Sequence, residues 1–307
     1  MPTIDQQDDI PRGSELALRL TDLTVPYQAI AEILAVADRL DDEQRAFIDG
    51  CRSAVLAAKG SHLRMVPLPT PPGPAESAFS RFGFVLMYAA MLPDVRRFHA
   101  QLGVDAAVSW ATLADLGRNM YVFEKRFGVT GFDEQSWLSL HFSGQLYQLG
   151  RLQFQVGTLG KRTTEGIRSA GLQVQAGEPT LSVHIPRFLG SLSDAECDTS
   201  LAIAGQFFGE RFPDLALQVA VCKSWLLDPQ LLGYLGGSSN IAAFQHRFAL
   251  AYPPEVGDAD AMRFVFDNPD LPLDQLPQDS SLQRAVVQVL ATGGHWHAGM
   301  GWFRWER

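Results

Sequence analysis

Cysteine is scarce in this 307-residue chain, with single residues at positions 51, 197 and 222. Their odd number and wide spacing exclude a disulfide framework and a thiolate metal cluster. Positive charge is also in deficit, since 25 Lys and Arg stand against 34 Asp and Glu for a net of −9. That balance argues against a surface devoted to nucleic-acid or membrane phosphates, although local donors can still hold a small anion. Lysine nearly vanishes, at 4 residues against 21 arginines, a bias expected of a GC-rich bacterial genome and silent on function. Long apolar runs are missing too: the longest, FGFVLMYAAML from Phe82 to Leu92, is too short to span a bilayer. The opening MPTIDQQDDIP has neither the basic start nor the apolar stretch of a signal peptide. The expectation is a soluble, cytoplasmic protein in a reducing compartment, with a frayed polar arm over its first ten or so residues.

What is present is an ordinary globular composition, 46% hydrophobic and 19% charged, long enough for two domains. The first half reads as all-helical. YQAIAEILAVADRL puts Ile30, Ile33, Leu34, Ala37 and Leu40 on one face, after a Pro26 suited to a first turn. Asp41 caps a second segment that ends at Gly60. VPLPTPPGP, from Val66 to Pro74, is an extended connector. Helices follow over roughly 75–92, stopping at Pro93, and over roughly 105–127.

Beyond about residue 130 the texture changes. A helical period with Leu138, Phe142, Leu146 and Leu149 gives way at Gly150 to the alternating RLQFQV. A basic turn, GKRTTEG, then LQVQ, GEPT and LSVHIP complete a strand meander. Ser193 and Glu196 form a capping box for a helix closed by Pro213. A strand LALQVAVCKSW, a helix start at SSN, apolar runs FALAY and AMRFVF, a helix SSLQRAVVQVLATGG and a last strand HWHAGMGWF follow. The fold class expected is α+β: an all-helical domain over 1–131, then a mixed α/β domain over 132–307.

From Ser136 onward this order resembles the GNAT acyltransferase fold. LGRLQFQ, HIP, SWLLDPQL and SNI, in that order, are similar to a bacterial family of GNAT-like acyltransferases with a helical N-acyltransferase N-terminal domain. The resemblance implies an enzyme that moves an acyl group from acyl-CoA or acetyl-CoA to an amine on a small-molecule acceptor. It implies no metal, nucleic-acid or membrane partner, and leaves the oligomeric state open. The fold's Gln/Arg-x-x-Gly-x-Gly/Ala motif is matched at Arg187 and Gly190 and departs at Leu192. The resemblance thus sets Arg187, Leu189, Gly190, Ser191, Leu192 and Ser193 around the coenzyme A diphosphate, where free helix N-terminal amides stabilise anions. Otherwise Gly190 only turns the chain and Ser193 only caps a helix. The Asn-x-x-Ala-x-x-x-Tyr pattern is matched at Asn240 and Ala243, with Arg247 in place of the thiolate-protonating Tyr. Asn240 then contacts the pantetheine arm, or is merely an N-cap.

Within that frame His184 could serve as the base for the amine, or be one polar residue on a strand face. Ser224 could donate to the departing thiolate or cap a helix. Asp228 could orient the amine or His184, or belong to a common Asp-Pro turn. Lys161, Arg162 and Arg168 could meet the 3′-phosphate or form a solvated hairpin. His295 and His297 share a strand face without a third ligand at metal spacing, and Cys222 suits an inert buried thiol. Leu192 and Arg247 also permit a different class of function, a non-catalytic ligand-binding or scaffolding protein on a degenerate GNAT fold.

Overall fold

The computed structural model describes residues 10–61 and 65–305, so the N-terminal arm lies outside the described residues except at its end. The chain divides into two compact units that part after Gln145.

The first unit contains α1 (Gly13–Asp22), α2 (Tyr27–Asp38), α3 (Asp42–Ala57), α4 (Ala78–Gln101), α5 (Ala106–Leu113), α6 (Asp115–Phe127) and α7 (Gln135–Phe142). Asp41 caps α3 through a full capping box with Gln44. Every residue of α4 from Phe82 to Leu92 is buried, as an apolar run without a polar face demands. Leu16, Leu20, Ile33, Ile48 and Val55 close around it, each full burial contributing about 1.5–3 kcal/mol. The helix does not stop at Pro93 as expected but runs on to Gln101. Proline frees the carbonyl four residues back, and that carbonyl, Ala89 O, accepts a hydrogen bond from Arg19 at 3.1 Å. The expected boundary at 131/132 also moves. Leu138 and Phe142 of α7 belong to the helical core, and Gly60 N–H donates to Ser143 O at 3.0 Å.

A buried polar seam crosses this unit. Asp115, 3% exposed, lies 3.3 Å from His141 Nε2 and accepts from Trp137 Nε1 at 3.2 Å and Asn119 Nδ2 at 2.9 Å. Burial alone would raise its pKa. The charge and hydrogen bond of His141, reinforced by Arg118 and Trp137, outweigh that and bring it down to about 2. His99 pairs through Nδ1 with Ser109 Oγ at 2.7 Å. Burial, then repulsion from Arg96 and His141, lowers its pKa to about 4.

The second unit is α/β. It runs β1 (Leu146–Leu149), β2 (Leu152–Thr158), α8 (Lys161–Ser169), β3 (Pro179–His184), α9 (Asp194–Arg211), β4 (Val219–Ser224), α10 (Leu231–Leu235) and α11 (Asn240–Gln245). Then come β5 (Ala249–Leu250), β6 (Glu255–Val256), α12 (Asp258–Val265), α13 (Ser281–Ala291) and β7 (His297–Arg304). The sheet order is β1-β2-β3-β4-β7-β5, with β6 also on β7. All pairs are antiparallel except β3 and β4.

Three local expectations are corrected here. The helix before Gly150 ends at Phe142, and Leu146–Leu149 is a strand instead. The basic GKRTTEG is helix α8, with Thr163, Thr164 and Ile167 turned inward. LQVQ (residues 172–175) is not a strand, although Val174 is buried with Ile167 under the sheet. The meander is therefore β1-β2-β3, with α8 inserted between its last two strands.

Candidate active site

The parallel pair β3 and β4 is in register at Leu181 with Ala220 and Ser182 with Val221. Two residues further on, at His184 and Lys223, the strands are no longer paired, whereas β4 stays on β7 as far as Ser224. Parallel neighbours place His184, Ser224 and the loop into α9 at the same, C-terminal edge of the sheet. That edge of a parallel pair is where open α/β sheets bind ligands.

His184 is half-buried, and its Nε2 lies 3.0 Å from Gln155 Oε1. Register puts Gln155 opposite Ser182, so the two side chains share one sheet face. A carboxamide oxygen only accepts, so Nε2 is the donor in this bond and the ring orientation is set.

The loop that follows has two successive residues with left-handed backbone, Leu189 (φ 77°) and Gly190 (φ 81°). For Leu189, 44% exposed, that conformation costs about 1–2 kcal/mol. Ser193 caps α9 by accepting from Glu196 N–H at 3.4 Å, which is the Ser193 half of the expected box. Leu192, at odds with the motif by its bulk, directs that bulk inward and is 8% exposed. Leu192 and the buried Cys197 occupy the two positions of a hydrophobic staple, so the side chain does not cover the loop's outer side. Arg187 forms an ion pair with Asp267 at 2.6 Å.

One residue missed by sequence reasoning organises this loop. Arg151, 7% exposed in the β1–β2 turn, donates through Nε to Gly190 O at 3.1 Å and through a terminal nitrogen to Pro186 O at 2.9 Å. Its own N–H donates to Ser200 Oγ of α9 at 2.7 Å. The turn is tight: at Gly150 (φ 68°) an added Cβ would stand 2.7 Å from the Ser200 hydroxyl.

Ser224 accepts from Leu226 N–H at 3.1 Å and starts a single 3-10 turn, Trp225–Leu227. Asp228, 3% exposed, accepts from Gln230 N–H at 3.0 Å, Gln230 Nε2 at 2.5 Å and His297 N–H at 2.7 Å. It also meets His297 Nδ1 at 3.3 Å, so its carboxylate ties the loop after β4 to the start of β7. The N-cap of α11 is Ser239, which accepts from Ala242 N–H at 3.1 Å. Asn240 is the exposed first residue of the helix, which removes the N-cap alternative for it. Arg247, in the tyrosine position, pairs with Asp194 and, at 2.6 Å, with Asp198 of α9.

The remaining candidates fall elsewhere. Helix α8 packs across the sheet, with Ile167 clustered with Val219 and Val221 of β4 and Gly166 against the Ala251 carbonyl. Lys161 and Arg168 share a cleft with Glu165 and Glu178, and Arg162 pairs with Glu255, so the expected basic hairpin is a helix whose cations have acidic neighbours. His295 pairs with Asp258 at 2.7 Å and His297 with Asp228. Among the described residues no group of three or more His, Cys, Asp or Glu is placed to hold a metal, and no helix is long and apolar enough to cross a membrane. Burial pushes the Cys222 thiol up to about 12, far from the thiolate a nucleophile requires.

Family models and solved structures match the chain. Residues 14–144 match the N-acyltransferase N-terminal domain family and residues 146–303 the GNAT-like C-terminal domain family. No curated protein matches the chain. A solved acyltransferase in complex with decanoyl-CoA and teicoplanin is 36% identical, with a TM-score of 0.86 over 96% of this chain and 89% of that one. A solved acyltransferase mutant in complex with octanoyl-CoA is 35% identical, with the same TM-score and coverage. The chain belongs to the family of acyltransferases that join an N-acyltransferase N-terminal domain to a GNAT-like C-terminal domain.

Proposed function

We propose that the chain transfers an acyl group from acyl-CoA to an amine of a small-molecule acceptor by direct attack on the thioester. The observation that carries this reading is the 36% identity, over 96% of the chain, to an acyltransferase that holds both decanoyl-CoA and teicoplanin. The divergence of β3 from β4 leaves room for the thioester beside His184. The amine nitrogen attacks the carbonyl carbon, and His184 takes the proton that the nitrogen must then lose. The C–S bond breaks, the amide forms, and the thiolate leaves accepting a hydrogen bond from the Ser224 hydroxyl, while the proton held by His184 passes to the thiolate or to solvent. Asp228 acts at one remove, by holding the loop that follows Ser224. The amides of Leu189, Gly190, Ser191, Leu192 and Ser193, with Arg187, hold the diphosphate, and Asn240 meets the pantetheine arm. Positioning supplies most of the rate in such a mechanism.

Thermal unfolding with coenzyme A, acetyl-CoA and octanoyl-CoA, paired with thiol release over a panel of amines that includes teicoplanin, tests the proposal. A ligand at 100 times its Kd stabilises by about 2.7 kcal/mol, a shift of a few degrees for a unit of this size. Stabilisation together with amine-dependent thiol release is the expected result. No stabilisation at millimolar coenzyme A would remove the donor assignment. Binding without thiol release for any amine would favour the scaffolding alternative.

A further inference from the structure

The geometry points to Arg151 as the positioning residue that shapes the β3–α9 loop into an anion cradle. This inference rests on the reading of that loop as the diphosphate site. Arg151 is buried, and its guanidinium is committed to two carbonyls, Pro186 O and Gly190 O, at 2.9 and 3.1 Å. No peptide bond among the described residues is cis. In a trans peptide the C=O of one residue and the N–H of the next point in opposite directions. Drawing Pro186 O and Gly190 O onto the guanidinium therefore turns the N–H groups of Arg187 and Ser191 away from it, toward the loop's outer side. The left-handed backbone at Leu189 and Gly190 carries the chain between the two anchored carbonyls. Without Arg151 both carbonyls are free to swing outward, where their negative ends would oppose a phosphate.

The anchoring is itself held in place. Ser200 Oγ accepts from the N–H groups of Arg151 and Leu152 at 2.7 and 3.3 Å and donates to Glu196 O at 2.8 Å. The β1–β2 turn, the loop and the first turns of α9 thus form one hydrogen-bonded block. Burial lowers the Arg151 pKa, with Cys197 and Glu196 opposing, and a guanidinium remains charged under such a shift. A lysine has a single nitrogen and cannot span both carbonyls as the planar guanidinium does.

The test compares Arg151→Met and Arg151→Lys with the parent chain on two donors, octanoyl-CoA and octanoyl-pantetheine, which lacks the diphosphate. Arg151→Met is expected to raise KM for octanoyl-CoA by about 10- to 100-fold, with kcat/KM for octanoyl-pantetheine changed by less than about threefold. Arg151→Lys is expected to recover part of the loss. An equal loss on both donors, or none on octanoyl-CoA, would overturn the role. If Arg151→Met does not fold, the donor split of Arg151→Lys decides in the same way. Ser191→Pro, which deletes one outward N–H, separates the two levels of inference. If it leaves the octanoyl-CoA KM unchanged, the loop is not the diphosphate site. If it weakens octanoyl-CoA while the Arg151 variants do not, the loop stands and Arg151 fails.

Discussion

Replacing His184 with alanine is expected to lower kcat for thiol release by about 10²- to 10⁴-fold, the usual contribution of one well-placed general base. Coenzyme A affinity should change much less than kcat, because the His184 side chain is bonded to Gln155 on the sheet face and not to the loop that reaches α9. The size of the effect follows from what direct transfer leaves for the protein to do. Once donor and acceptor are positioned, the ammonium formed by attack must lose a proton before the tetrahedral centre can collapse forward. His184 offers a ring whose orientation is fixed at 3.0 Å by Gln155. Gln155 carries no charge, so it orients the imidazole without stabilising the imidazolium as a carboxylate would. Steady-state kinetics and calorimetric titration of the variant decide the matter: a kcat within tenfold of the parent would take the base role away from His184.

The second large effect concerns stability in acid and arises in the helical unit, remote in sequence from the transfer site. His99 has a folded pKa of about 4 against an ordinary 6.5. Between those values the unfolded chain binds a proton that the folded chain refuses, so stability falls as pH drops through that window, by about 3 kcal/mol. Asp115 acts in the adjoining window. Its folded pKa of about 2 against 3.8 gives a contribution that is complete above about pH 4 and is lost toward pH 2, about 2 kcal/mol. Denaturant titrations of the full chain from pH 7 to 4, followed by helical circular dichroism, should show a midpoint that falls steadily below pH 6.5. His99→Gln should flatten that slope even though it lowers stability at pH 7. Asp115→Asn, which removes the carboxylate that Trp137, Asn119 and Arg118 meet, should cost about 1–3 kcal/mol at pH 7. A flat profile in the parent chain would refute the assignment to His99.

Helices with strong apolar stripes and local caps were legible in the sequence, as Asp41 and α3 illustrate. Elements whose stability comes from distant partners were not. Leu146–Leu149 is buried at all four positions, so it has no alternation to betray a strand. The passage of α4 through Pro93 depends on Arg19, some 70 residues earlier. The same division holds at the site. Gly190 and Ser193 announce a turn and a cap through local backbone chemistry, and the structure has a left-handed Gly190 and a Ser193 cap. Arg151 is 39 residues from Gly190, and Asp267 is 80 residues from Arg187. Neither pairing has a sequence signature, because each is made by strand order and not by spacing.

Arg247, at the position where the resemblance implies a tyrosine, also alters the local field. The first two turns of α9 carry Asp194, Glu196 and Asp198, three carboxylates at the end of a helix whose dipole would otherwise attract an anion. An anion approaching Ser193 from solvent would meet a net repulsion from them. Arg247 is bonded to Asp194 and Asp198 and offsets part of that charge, leaving the dipole and the free amides to set the sign. Because these ion pairs have exposed carboxylates, added salt screens their internal attraction and their repulsion of the ligand together. On the proposed reading of this loop, Arg247→Ala should make coenzyme A binding more dependent on ionic strength, which titrations at low and high salt would measure.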